Sequence, residues 1–325
     1  MKKVLVVLLM LVVAASVFAG GQRASDLVKV GIVNLHPSES GYREANVIDM
    51  NRVFNRDNGY DVLNANVNTL AEQLAATDQF INEGVSYLLI SAADANGWDA
   101  VLTRARNAGV RVFLFDRMIN TAEANFEAAV VSDMPSQGAM AVQWLEAQNR
   151  PGGYRFIHIQ GQIGSAAQMG RSGALDQAIA RHANWTLVRR GTGGDTWSAD
   201  EAKRIVEAAI AARENFNVIY AENDGMAEGA MTALREAGIS HGVNGDVWIM
   251  GFDFNRFALR YVMAGDWNYN GQSSPFQADV IHGFIQTLEA GRSLNLPSKI
   301  VIVEETFADR TNVNQAFIDR YGLGD

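Results

Sequence analysis

The sequence predicts an α/β protein of two domains, each built on a parallel sheet. Three observations carry this expectation. Short apolar runs over residues 85–90, 112–115 and 218–221 stand between helical segments, and such runs read as strands buried on both faces of a parallel sheet. Strand and helix alternate throughout, which calls for right-handed crossovers. Finally, 325 residues exceed what one core usually holds, and the pattern starts afresh after Pro135, so two domains are expected.

The chain opens on a secretory leader. Lys2 and Lys3 form a basic start, residues 4–13 are an unbroken apolar run, and Val17, Phe18 and Ala19 offer a cleavage region. The run is too short to span a bilayer comfortably, so residues 1–19 are expected to be removed on export. No cysteine occurs anywhere. That excludes a disulfide framework, a thiol nucleophile, a thiolate metal site and a lipid carried on cysteine. The formal net charge is −9, and loss of Lys2 and Lys3 makes the mature chain more acidic still. This balance argues against nucleic acid and anionic membrane as partners. The expectation is a periplasmic protein, exported by its leader, with no lipid anchor and no stable membrane insertion.

Each element follows from local pattern. Residues 28–35 read as the first strand, and residues 36–43 lead into a helix running to about residue 58, stopped by Gly59. A strand over residues 60–65 precedes a helix opened by Thr69 and Glu72 at capping-box spacing, with Leu70, Leu74 and Ile81 on one face. Gly84 ends that helix. Residues 85–90 are the next strand, and a helix with Trp98, Val101, Leu102 and Ala105 closes at Gly109. The run at residues 112–115 then stops abruptly at Asp116 and Arg117. Residues 130–135 read as a passage into a second unit.

There the pattern repeats. A helix over residues 136–149, a turn at Pro151, Gly152 and Gly153, a strand over residues 154–160 and a loop over residues 161–164 lead to a helix carrying Arg171. A strand over residues 186–190 precedes a helix capped by Ser198 with Glu201. The strand at residues 218–221 ends in Glu222, Asn223 and Asp224, and the strand at residues 247–251 ends in Phe252 and Asp253. Residues 268–275, which include Gln272, read as another passage, followed by a helix over residues 276–290 and a last strand over residues 300–304. No low-complexity linker or short repeat interrupts the chain.

In an open α/β sheet, ligands bind beyond the carboxyl ends of the strands. The side chains expected there are Glu39, Arg43, Asp94, Asp116, Arg117, Gln160, Arg171, Asn223, Asp224, Asp253 and Gln272. Nearly all present two donors or acceptors in one plane, which suits the vicinal hydroxyls of a sugar. Tyr42 and Trp98 stand close by in sequence, and an aromatic ring can lie against the apolar face of a pyranose or furanose. Ala93, at the exit of the third strand, is included among the expected contacts. Trp98 fits a core position equally well, and Asp253 is either a site residue or a helix cap.

Enzymatic patterns are lacking. The five histidines show no metal-binding spacing, and His158, in mid-strand, reads as a buried, hydrogen-bonded residue. The run Gly191-Thr192-Gly193-Gly194 matches neither GxGxxG nor a phosphate-binding loop, and no GxSxG elbow occurs. A pair of carboxylates for glycoside hydrolysis is a matter of three-dimensional distance, which the sequence leaves open. The expectation is a non-enzyme with no cofactor and no metal.

The mature chain resembles, over nearly its whole length, the ribose- and galactose-type solute-binding proteins, periplasmic components of ABC sugar importers. Ser38-Glu39-Ser40-Gly41-Tyr42-Arg43, Asn96-Gly97-Trp98, Phe115-Asp116-Arg117, residues 220–229 and Gly251-Phe252-Asp253 carry the resemblance. It is nearest to the galactofuranose-binding branch, from which it departs at Tyr42, where Trp is favoured, and at Gln272, where an acid stands. The resemblance implies the type I periplasmic binding protein fold, with two Rossmann-like lobes joined by a three-segment hinge. It also implies that Glu39, Asp116, Arg117, Arg171, Asn223 and Asp253 contact the sugar. The lobes are expected over residues 26–132 with 273–301, and over residues 133–272 with 302–325. The second crossing falls near either Phe254 or Gln272.

The implied function is capture of a monosaccharide (galactofuranose, galactose or a similar sugar) by a monomer that delivers it to an ABC-type permease. A periplasmic sensing module that signals to a chemoreceptor or histidine kinase is the alternative. The sugar-sensing half of a LacI-type repressor shares the fold, but the leader and the acidic balance disfavour it.

Overall fold

The structure is a computed structural model that describes residues 27–324. The leader expected over residues 1–19 lies outside the described residues. In chain order the strands begin with β1 (Val28–Asn34), β2 (Tyr60–Asn66), β3 (Tyr87–Ile90), β4 (Arg111–Asp116) and β5 (Ala128–Val131). They continue with β6 (Tyr154–Gln160), β7 (Trp185–Thr192), β8 (Val218–Ala221), β9 (Trp248–Asp253) and β10 (Tyr269–Gln272), and end with β11 (Ile300–Ile302) and β12 (Phe307–Ala308). β3, β5 and β8 are buried at every position, as strands covered on both faces must be.

Two six-stranded sheets result. One has the order β11-β5-β4-β3-β1-β2 and the other β12-β10-β9-β8-β6-β7. Apart from the outermost strand, the two sheets repeat one topology. Every pairing is parallel except that of β12 with β10. The sheets are parallel as expected, with this short antiparallel edge strand added to the second one.

Helices cover both faces of each sheet, which makes the architecture α/β as expected. α1 (Gly41–Val53) and α9 (Ala278–Glu289) pack on one face of the first sheet, with Met50 and Ile281 against Leu89 and Phe113. α2 (Leu70–Asn82) and α3 (Asp99–Asn107) cover the other, with Phe80 and Leu102 against Leu88 and Leu114. Neighbouring strand residues thus point to opposite cores, as the two-residue period of a strand requires. In the second sheet, α4 (Met134–Gln148) and α5 (Ala166–Arg181) pack on Phe156 and Tyr220. α6 (Ala199–Ala211), α7 (Asp224–Glu236), α8 (Arg256–Ala264) and α10 (Gln315–Tyr321) pack on Ile157, Ile219 and Ile249.

The Thr69–Glu72 capping box forms in both directions. Other boundaries differ from expectation. α1 stops at Val53, and a separate 3-10 turn, Arg56–Asn58, reaches Gly59 at φ 90°. Residues 269–272, expected in a passage, pair with β9 as β10. α8 and α10 have no counterpart in the sequence reading.

The chain passes between the sheets three times: from β5 to α4, from β10 to α9, and from β11 to β12. Phe254, one of the two sites expected for the second passage, lies within the second core against Phe317. Ile302 pairs with Val131, which carries the first sheet one residue past the boundary expected at residue 301. Among the described residues no helix is long and apolar enough to cross a membrane.

Candidate ligand-binding site

The carboxyl ends of the two sheets face each other, and each central strand ends in an aspartate. β4 stops at Asp116 with φ 63°, and β9 stops at Asp253 with φ 115°. Side-chain-bearing residues rarely adopt such backbone, and it is held where the surroundings fix it. The same strained aspartate therefore closes the corresponding strand of each lobe.

In the first lobe Asp116 anchors a buried charge cluster. Its Oδ1 accepts from the Tyr42 hydroxyl at 2.8 Å, and its Oδ2 accepts from Arg43 Nη2 at 2.5 Å and Ser91 Oγ at 2.8 Å. Arg43 donates its Nε to Glu39 at 3.0 Å and its Nη1 to Asn34 at 2.9 Å. Glu39 in turn accepts from Arg117 Nη2 at 3.0 Å. Two carboxylates and two guanidiniums thus balance one another out of water, which a buried ion requires. Burial alone would raise the Asp116 carboxyl, but Arg43 and Arg117 outweigh it and hold that group below its ordinary value. Burial and the Asp116 charge push the Tyr42 phenol well up.

In the second lobe Arg171 is the centre. It donates Nε to Gln137 Oε1 at 3.0 Å, Nη1 to the Glu222 carbonyl, and Nη2 to Ser273 Oγ at 2.6 Å and Asp253 Oδ1 at 3.4 Å. Its guanidinium lies 4.6 Å from the Phe252 ring centre. Burial pushes the Asp253 carboxyl up to about 7, with Arg171 and Arg117 pulling it down and Glu39 and Asp116 adding repulsion. Asn223 caps α7 through its side-chain oxygen on Met226 N. Trp197, at φ 51°, lies with the Arg117 guanidinium 5.8 Å from its ring centre. A methyl group at Gly161 would overlap the Trp197 ring, so only glycine at position 161 lets the indole seat there.

Between these walls lies a narrow cleft with about 280 Å³ of space free of protein atoms, part of it open to solvent. Tyr42, Asp116 and Arg117 line it from the first lobe, with Arg171, Trp197, Asn223 and Asp253 from the second and Ser273 from a crossing. The lobes touch around its rim. Ala95 N donates to Gly164 O at 3.3 Å, and Gly41 leaves no room for a β-carbon beside the Asn255 amide. Three buried donors of the wall, Arg117 Nε, Arg117 Nη1 and Trp197 Nε1, have no hydrogen-bond partner among the described residues, although Arg117 Nε pairs with Asp116 Oδ2 at 3.5 Å. Buried donors are normally satisfied, so the site is built to meet oxygen acceptors. With Asp116 and Asp253 as acceptors and two aromatic rings beside them, the wall matches a small, uncharged, hydroxyl-rich molecule.

Of the residues expected from sequence, the structure brings Tyr42, Asp116, Arg117, Arg171, Asn223 and Asp253 to this cavity. Glu39 and Arg43 lie behind the wall as the partners that orient Asp116 and Arg117. Ala93, Trp98 and Gln272 are not brought to it. Trp98 is fully buried in the first core, with its indole N–H given to the Asp94 carbonyl at 2.8 Å. Ala93 N donates to Gln73, and Gln272 bonds Thr306 through both its backbone N–H and its side-chain oxygen. Asp94 holds Asn96, Gln160 holds Ser172, and Asp224 accepts from Asn255 and Asn270.

Ser40, Met134, Ala167, Trp197 and Ser273 line the cavity without having been expected. The positions of Ser40, two residues before Tyr42, and Met134, at the first crossing, are the sequence signals available for them. His158 is a buried mid-strand residue bonded to Glu222 at 2.9 Å, in line with its expected structural role. No group of three or more His, Cys, Asp or Glu suited to a metal occurs among the described residues.

Known proteins are similar to this chain in sequence and in fold. A fructose import binding protein of Bifidobacterium longum is 27% identical over 293 residues, 86% of each chain. A galactofuranose-binding protein of Escherichia coli is 27% identical over 240 residues, 72% of this chain and 73% of the other. A solved Mycobacterium smegmatis structure in complex with β-D-fucofuranose superposes with a TM-score of 0.81 at 26% identity, covering 90% of this chain and 95% of that one. The family described as periplasmic binding protein domain matches residues 30–281. That span is most of the chain, its members are binding proteins and not enzymes, and this chain belongs to that family.

Proposed function

We propose that this protein is the periplasmic solute-binding component of an ABC sugar importer, capturing a monosaccharide between its lobes and delivering it to the membrane permease. The observation that carries the reading is one cavity lined by buried donors of Arg117 and Trp197 that lack hydrogen-bond partners, together with the acceptors Asp116 and Asp253. Asn223, Arg171 and Tyr42 complete the grip, and Glu39 and Arg43 act from behind. Residues 27–132 with 273–302 and residues 133–272 with 303–324 are the lobes that close on the sugar. The protein works as a monomer, exported by its leader.

Galactofuranose, galactose or a sugar of similar size is the proposed ligand. A relative named for galactofuranose and a solved neighbour in complex with fucofuranose support a single sugar ring in its furanose form. Thermal unfolding of the purified chain against a panel of monosaccharides, furanose-rich ones included, tests this. A sugar at one hundred times its dissociation constant stabilises the native state by about 2.7 kcal/mol. A panel in which no sugar raises the melting temperature overturns the reading.

A further inference from the structure

The three passages between the lobes meet at one carboxylate. Glu305, in the β11–β12 passage, accepts at Oε1 from Ser132 Oγ at 2.6 Å and Ser274 N at 2.8 Å, and at Oε2 from Gln137 Nε2 at 2.6 Å. Ser132 belongs to the first passage and Ser274 to the second, so a single side chain ties all three. Gln137 does more than fill the third place. Its Nε2 also reaches Ser273 Oγ at 3.0 Å, and its Oε1 receives Arg171 Nε at 3.0 Å. The amide is therefore gripped at both ends by groups of fixed polarity. A carboxylate can only accept and a guanidinium can only donate, so Gln137 has one usable orientation.

We propose that Glu305 and Gln137 are positioning residues that couple the hinge to the ligand site, with the Gln137 amide relaying the polarity of Glu305 to Arg171. This rests on the reading of the cavity as a ligand site between movable lobes. Ser273 Oγ already accepts from Gln137 and Arg171, which leaves its own hydroxyl hydrogen to point elsewhere, and Ser273 lines the cavity. The relay thereby sets the direction of two cavity groups at once. Burial raises the Glu305 carboxyl above its ordinary value while its donors pull it down, so losing one of those donors by rotation at the hinge is costly.

The chain of donors and acceptors makes a sharp prediction. In Glu305→Gln the new amide must place two donors face to face somewhere: against Gln137, against Ser274 N, or, if Gln137 turns over, between Gln137 and Arg171. Adding Gln137→Glu removes the conflict. The amide introduced at position 305 can then donate to the carboxylate introduced at position 137, and that carboxylate still accepts from Arg171. The absence of native cysteine allows spin labels at Ile48→Cys and Ile163→Cys, exposed by 62% and 59% on opposite lobes. Their distance distribution is read without any sugar, and NMR reads solvent exchange of the Arg171 Nε–H.

The expected result is a shift of Glu305→Gln toward wider separations with at least about tenfold faster Arg171 exchange, both returned toward wild type by the double variant. An unchanged Glu305→Gln protein, or a double variant no closer to wild type than the single one, overturns the relay. Should Glu305→Gln fail to fold, the double variant still decides: recovery supports the coupling and continued failure overturns it. A wild-type protein with one sharp, rigid distance overturns the movable-lobe reading instead, while the Arg171 exchange still decides the relay.

Discussion

Replacing Asp253 by Asn tests the electrostatics of the cavity without any ligand. Asp253 is 4% exposed, and burial, opposed by Arg171 and Arg117 but reinforced by Glu39 and Asp116, pushes its carboxyl from 3.8 to about 7. A carboxyl raised in the folded state stabilises the fold only while protonated. Its contribution is complete below the unfolded value and is lost as the pH rises through about 7. Three units of displacement at about 1.36 kcal/mol each correspond to about 4 kcal/mol. Asn keeps the shape and never ionises. Urea denaturation of both proteins from about pH 4 to about pH 8.5 should therefore show near equality in acid, with Asp253→Asn gaining steadily to as much as about 4 kcal/mol above neutrality. A stability difference that does not change with pH, or that moves the other way, refutes the argument.

Two further substitutions separate the wall of the cavity from the core. Arg117→Ala removes two buried donors, each worth about 1.5–3 kcal/mol to a bound acceptor, and should weaken the best sugar of the panel by about a hundredfold or more in calorimetry. The Glu39 partner Arg43 remains, so the variant should still fold, and unchanged affinity would remove Arg117 from the site. Trp98→Ala should do the opposite. Trp98 is fully buried among Val101, Leu102 and Ala105, so its loss should cost about 3–5 kcal/mol in chemical denaturation. Sugar affinity at a temperature where the variant is folded should stay within about threefold of wild type, a change too small to signal a lost contact.

The contrast between Trp98 and Trp197 shows what the sequence carries and what it does not. Asp116 and Asp253 are legible because each interrupts an apolar run, and a strand buried on both faces must end where polarity begins. Trp98 reads equally as wall or core because it stands beside a strand exit and at helical spacing from Val101 and Leu102. Proximity in sequence is no guide to which way an indole turns, and its N–H finds the Asp94 carbonyl within the same loop. Trp197 stands in a polar stretch between Thr196 and Ser198, and its seat depends on the missing β-carbon of Gly161, far off in sequence. β10 is illegible for another reason. Of its residues Tyr-Asn-Gly-Gln only the first favours a strand, and Asn270 is kept there by bonds to Asp224 and the Phe254 N–H. Tertiary partners, not local pattern, make that strand.

The place of β11 at the rim of the first sheet bears on how the chain acquires its shape. β1 to β5 lie within residues 28–131, yet the outer side of β5 is covered only by residues 300–302. A chain that leaves a ribosome or a translocation channel amino end first exposes that rim until almost all of it has emerged. An uncovered strand pairs readily with a wrong neighbour. Completion of the first sheet therefore waits on the tail, and a nascent chain cut short of residue 300 keeps an adhesive rim however well the rest has folded.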